Sequence, residues 1–211
     1  MGEQSRQDEQ SQRTALLSAL TTEHFVLQTA NNSTYSEASA RSTLYVMALS
    51  SSLVAMGFLS SSAEVLIPFA ATVLPTVFLL GLFTMVRLVE TALESMQYLH
   101  GIARIRAYYR TLGPDATSHF AAQHGRWPEV ESPAQRFGAT LAFFGTTASM
   151  VAVINNVVGG ACVALLAHLL SPSIPRWMDA VIGVISAIVL TALFYAYQRW
   201  RFRDFDIRSV K

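Results

Sequence analysis

Of 211 residues, 52% are hydrophobic and 14% charged, against about 25% charged in ordinary soluble domains, which excludes a conventional water-soluble architecture for most of the chain. The net charge of +1 conceals an uneven distribution, because residues 42–63, 65–86, 137–175 and 180–198 contain no Asp, Glu, Lys or Arg. Each gap is long enough to cross a bilayer, which takes about 20 apolar residues at about 1.5 Å rise each. The predicted fold class is an all-α polytopic membrane protein with four transmembrane helices in two hairpins.

Residues 1–12 are polar and predict disorder, since they bury too little to offset the entropy of ordering. From Thr14 onward, Leu16, Leu17, Leu20, His24 and Leu27 recur at three- and four-residue spacing. That pattern predicts an amphipathic helix over residues 13–41, with Asn31-Asn32-Ser33 as a candidate interruption. Residues 42–86 form the first hairpin, as only Ser60-Ser61-Ser62-Ala63-Glu64 separates its spans. Ala48, Ser51, Ser52 and Ala55 give span one a small-residue face that allows close helix approach. Pro68 suits a helix start, and Pro75 is placed to kink the interior of span two.

Residues 87–136 predict a stalk helix ended by Gly113-Pro114-Asp115, then a loop carrying His119, His124, Trp127, Pro128 and Pro133. Residues 137–198 form the second hairpin. Its first uncharged stretch, 39 residues long, would make about 58 Å of helix against a hydrocarbon core of about 30 Å. The crossing is therefore predicted near Gly138 to Gly160, with residues 161–170 continuing outside the bilayer up to Ser171-Pro172-Ser173-Ile174-Pro175. Trp177, Tyr195, Tyr197 and Trp200 mark aromatic belts at the ends of span four, and residues 199–211 form a basic tail.

Arginines precede the first gap, crowd the segment between the second and third, and follow the fourth, whereas the two short loops hold only Arg176. The positive-inside rule then predicts both termini and the central segment to be cytoplasmic. Lys211 is the only lysine, a bias that fits a GC-rich bacterial genome and hence the bacterial inner membrane. The polar N-terminal segment shows no removable signal peptide, so the first span serves as the insertion signal. Cys162 is the only cysteine, which rules out an intramolecular disulfide.

No nucleophile motif, phosphate-binding loop or metal-ligand spacing is present; His100, His119 and His124, with Asp115 and Glu129, match no zinc pattern. No catalytic residue, metal or cofactor is assigned, and the chain reads as non-enzymatic. Asn155 and Asn156, with Thr146, Thr147 and Ser149 about two turns earlier, need polar partners inside the membrane. They read either as interhelical contacts or as the lining of a polar cavity or pore, the former favoured. Arg104, Arg106, Arg110, Arg199, Arg201 and Arg203 form a candidate belt for anionic lipid headgroups, beside ordinary topology-setting arginines as the commoner explanation. The mixed signs of Arg203-Asp204-Phe205-Asp206 argue against nucleic acid.

The run from Thr22-Glu23-His24-Phe25 through Ala38-Ser39-Ala40-Arg41 into the span from Leu44 to Leu59 sets a cytoplasmic helix directly before a small-residue hairpin. This layout resembles that of small membrane effectors in bacterial antiphage signalling systems, with a second hairpin added. The resemblance implies oligomerisation and disturbance of the inner membrane upon a cytoplasmic signal. The sequence reading is thus a self-associating homo-oligomer in the lipid bilayer, either a channel or membrane-perturbing effector or a scaffold; a small-molecule transporter with a polar cavity in span three is the alternative.

Overall fold

The structure, a computed structural model, describes residues 2–120, 146–173 and 175–209. Its helices are α1 (Gly2–Leu59), α2 (Ala63–Tyr109), α3 (Pro114–His119), α4 (Thr147–Leu170) and α5 (Arg176–Ser209), with a 3-10 turn at Arg110–Leu112 after α2. No strand occurs among the described residues. Helices α1, α2, α4 and α5 are each long and apolar enough to cross a membrane, as the charge gaps predict.

Helix α1 contains neither Pro nor an internal Gly before Gly57, so nothing in its backbone chemistry stops it. It runs unbroken through Asn31-Asn32-Ser33 and back through the polar N-terminus, where composition alone predicts disorder. Its 58 residues make a rod of about 87 Å. Its threonines are held locally: Thr14, Thr21, Thr22 and Thr29 each donate to the carbonyl four residues earlier, at 2.9 to 3.1 Å. Helix α2 likewise continues from span two into the stalk without a break, and contains both Pro68 and Pro75.

The third crossing differs from the sequence expectation. Helix α4 begins at Thr147, where the Thr146 side chain accepts the Ser149 backbone N–H at 3.2 Å and caps the helix. The helix able to cross the membrane is Thr147–Leu170, and residues 161–170 continue it without a break. Residues 137–145 fall outside the described residues, as do His124, Trp127, Pro128, Glu129 and Pro133.

The helices stand in a row. α1 packs on α2, α2 on α4, and α4 on α5, with α1 and α5 at opposite edges. Along α1 the residues turned toward α2 include Leu27, Asn31, Thr34, Ala38 and Tyr45; along α2 they include Gly81, Leu88, Thr91, Ser95 and Ile102. Spacings of three and four sustained over this length are the 3.5-residue repeat of a left-handed coiled coil. The register is fixed by polar pairs. Ser95 donates to Asn31 Oδ1 at 2.7 Å, Arg87 meets Glu37 at 2.8 Å, and the Thr21 and Tyr109 hydroxyls lie 3.5 Å apart.

Gly81, Gly101, Gly159, Gly160 and Gly183 leave no room for a Cβ. At Gly81 an added Cβ would overlap the Asn155 carboxamide and lie 2.6 Å from the Tyr45 ring. At Gly183 it would lie 2.9 Å from the Gly160 carbonyl oxygen, because α4 and α5 touch there backbone to backbone. Small residues thus do most in the second hairpin. In span one Ala48, Ser52 and Ala55 are only half-buried and Ser51 is exposed.

Gly81→Val is expected to lower the stability of the detergent-solubilised protein by about 1–3 kcal/mol through overpacking, read as an earlier thermal unfolding midpoint. Gly57→Ala, where nothing lies within 4 Å of an added Cβ, is expected to leave that midpoint unchanged or raise it.

Candidate functional site

Asn155 and Asn156 are adjacent in α4, about 100° apart around the helix axis, and so face different neighbours. Asn155 is fully buried and its Oδ1 accepts the Tyr45 hydroxyl of α1 at 3.2 Å. Its Nδ2 is buried and has no hydrogen-bond partner among the described residues. Asn156 turns the other way and donates to Thr191 Oγ1 of α5 at 3.2 Å. One dipeptide therefore ties α4 to both edges of the row.

A second polar knot lies nearer the stalk side. Ser149 Oγ is 2.8 Å from Thr146 Oγ1 and donates to Gln198 Oε1 at 3.4 Å, while Gln198 Nε2 donates to Thr146 Oγ1 at 3.5 Å. Gln198 and Ser149 are both buried to within about 1%. Thr147 is exposed and stands apart from this group. The side chains of Thr146, Ser149, Asn155 and Asn156 meet other helices or one another. A groove of about 670 Å³ between α4 and α5 is walled by apolar and small residues with Thr191, and neither asparagine lines it.

The arginines do not converge on one belt. Arg201 of α5 forms a bidentate pair with Glu90 of α2, its Nε donating to Oε1 at 2.8 Å, and lies 3.5 Å from Asp204. Tyr197 also donates to Glu90, at 3.3 Å. Arg199 and Arg203 are exposed nearby. Arg104, Arg106 and Arg110 belong to the far end of α2, where Arg104 is exposed and the other two are half-buried. Fourteen residues separate Glu90 from Arg104 on one continuous helix, or about 21 Å.

Sequence reasoning missed the strongest cluster. Arg87 donates to both oxygens of Glu37, at 2.8 and 3.0 Å, and to Glu94 Oε1 at 2.9 Å; Arg41 adds a further bond to Glu37 at 2.8 Å. The pairing of Arg87 with Glu94 immediately after a charge gap was the available signal, since residues two turns apart lie on one stripe of a helix. Also missed was the pair at the opposite membrane face, where His168 Nδ1 lies 3.0 Å from Asp179 Oδ2. Asp179 is 7% exposed, and its second oxygen is buried without a partner among the described residues. Among the described residues no group of three or more His, Cys, Asp or Glu is placed to hold a metal.

Hydrogen bonds from Arg87 first, and Arg41 second, hold the Glu37 carboxyl down at about 2. The Arg201 bond likewise lowers Glu90. Against known families, characterised proteins and solved structures, the chain finds no match.

A carboxylate depressed in the folded state stabilises it fully above its ordinary value of 4.5, and that contribution is lost as pH falls toward about 2. Acidification from pH 5 to pH 2 is therefore expected to loosen the α1–α2 stalk. Glu37→Gln is expected to flatten that part of the profile while lowering stability at neutral pH, both read from unfolding midpoints in detergent across a pH series.

Proposed function

We propose that this is a non-enzymatic, self-associating protein of the bacterial inner membrane, with its termini and stalk in the cytoplasm. It acts as a channel-forming or membrane-perturbing effector, or as a scaffold, that a cytoplasmic signal addresses through the stalk. The observation that carries the reading is the continuity of α1 and α2. Both pass from the polar stalk into the spans without a break, so a displacement at the stalk reaches Tyr45 and Gly81 along rigid helices.

Self-association is supported by what α1 leaves uncovered. Phe25, Val26 and Tyr35 lie outside the charge-free spans and are 62%, 55% and 59% exposed. From Arg6 to Leu16 every residue of α1 is exposed. Ser149, Asn155 and Asn156 of α4 each bond to another helix of the same chain, so a conducting path, in the channel form, runs between copies. The effector form carries forward the layout resemblance to membrane effectors of antiphage signalling systems.

The test is the mass of the protein in nanodiscs, corrected for bound amphiphile. A species of two or more 23.1 kDa chains, reduced in size by Phe25→Ser with Tyr35→Ser, is the expected result. A single chain at all concentrations would remove self-association and both of its functional forms.

A further inference from the structure

The α4/α5 groove has no role in the reading above. Its walls are Val157, Ala161 and Ala164 on one helix and Ala180, Val184 and Ile188 on the other, over a floor where Gly160 meets Gly183. Thr191 is its polar wall residue, and that hydroxyl already donates to the Ala187 carbonyl at 2.8 Å and accepts from Asn156. An occupant is therefore offered hydrocarbon alone along the groove.

The dimensions decide what kind of occupant fits. From Ala180 to Ala192 the groove follows α5 for about 18 Å, slightly more than one leaflet of a hydrocarbon core about 30 Å thick. The groove is a shallow furrow over helices that touch backbone to backbone, so a helix about 10–12 Å across can rest on it and insert side chains but cannot sink between them. A single extended hydrocarbon chain can lie along it.

The end of the groove supplies a headgroup contact. Position 168 continues the 157, 161, 164 stripe by one turn, and position 176 precedes the 180, 184, 188 stripe by one turn. Those positions are His168 and Arg176, the latter exposed. The His168 side chain is 35% exposed and leans on buried Asp179. This sets a guanidinium and an imidazole at the membrane face where the groove ends, with the Asp179 carboxylate engaged behind them.

We propose that the α4/α5 groove binds one acyl chain of a phospholipid from the leaflet nearest residues 171–175, with the lipid phosphate against Arg176 and His168. The site is independent of self-association. Native mass spectrometry of the full-length protein, reconstituted in vesicles of palmitoyl-oleoyl phosphatidylglycerol and then extracted into mild detergent, tests it. The wild-type chain is expected to retain phospholipid. Ala161→Phe, which fills the groove from an exposed wall position, is expected to abolish retention, and Arg176→Gln to weaken it about fivefold, the value of one cation near a headgroup.

Lipid-free wild-type protein, or retention unchanged by Ala161→Phe, overturns the proposal. So does a two-chain species without lipid that Ala161→Phe splits, since a second copy then fills the groove. Should Ala161→Phe fail to fold, Ala180→Phe closes the same space from the other wall. Chain number and lipid number come from one spectrum, so a monomer that holds lipid overturns self-association and supports the groove.

Discussion

Tyr45, Gly81 and Asn155 meet where three helices come together, and the missing side chain of Gly81 is what allows it. α1 touches α4 over only a short stretch, yet the Tyr45 hydroxyl reaches past α2 to the Asn155 carboxamide. A phenol with no exposure must find a partner, because an unsatisfied buried polar group costs about 1–3 kcal/mol. Any Cβ at position 81 occupies the space that the ring and the amide share. The two hairpins therefore share a core only while α2 is bare at that point. The core that forms around it, with Leu88, Val89, Leu93, Val151 and Ala152, is continuous across α2 and α4.

α2 then fixes the order of its neighbours by charge. Arg87, with Glu94 of its own stripe as a second partner, grips Glu37 of α1; Glu90 lies off that stripe and grips Arg201 of α5. Because the signs are opposite on the two sides, α1 and α5 cannot exchange places without setting acid against acid and base against base. Each pair is partly exposed and individually weak. Their value is in specifying which helix lies where, at the depth at which the spans leave the hydrocarbon.

The spans were legible in the sequence because charge is so costly in lipid that its absence marks them directly. The start of α4 was not, since 39 uncharged residues carry no charge to punctuate them; the cap formed by Thr146 and Ser149 is the local signal that sets it. The coiled coil was hidden for a related reason. Asn31 and Thr34 occupy inward positions where apolar periodicity expects leucine, so the pattern reads as interrupted although the helix is not. Asn155 and Asn156 were legible as residues that need partners. Their different directions follow from a step of about 100° that composition cannot place relative to the neighbouring helices.

A row of four helices leaves α1 and α5 each packed on one side, and in a bilayer that arrangement carries no hydrophobic penalty. Lipid tails are as apolar as the exposed Leu44, Val54, Val184 and Ile188, so burying those side chains against another protein gains little. The stalk obeys a different rule because it stands in water. There Phe25, Val26 and Tyr35 remain uncovered on a helix whose opposite side is already committed to α2, and burial of apolar area has its full driving force. Burial of the stalk's open face thus has a hydrophobic driving force that burial of the span surfaces lacks, and the unbroken α1 and α2 join the register of the stalk to that of the spans.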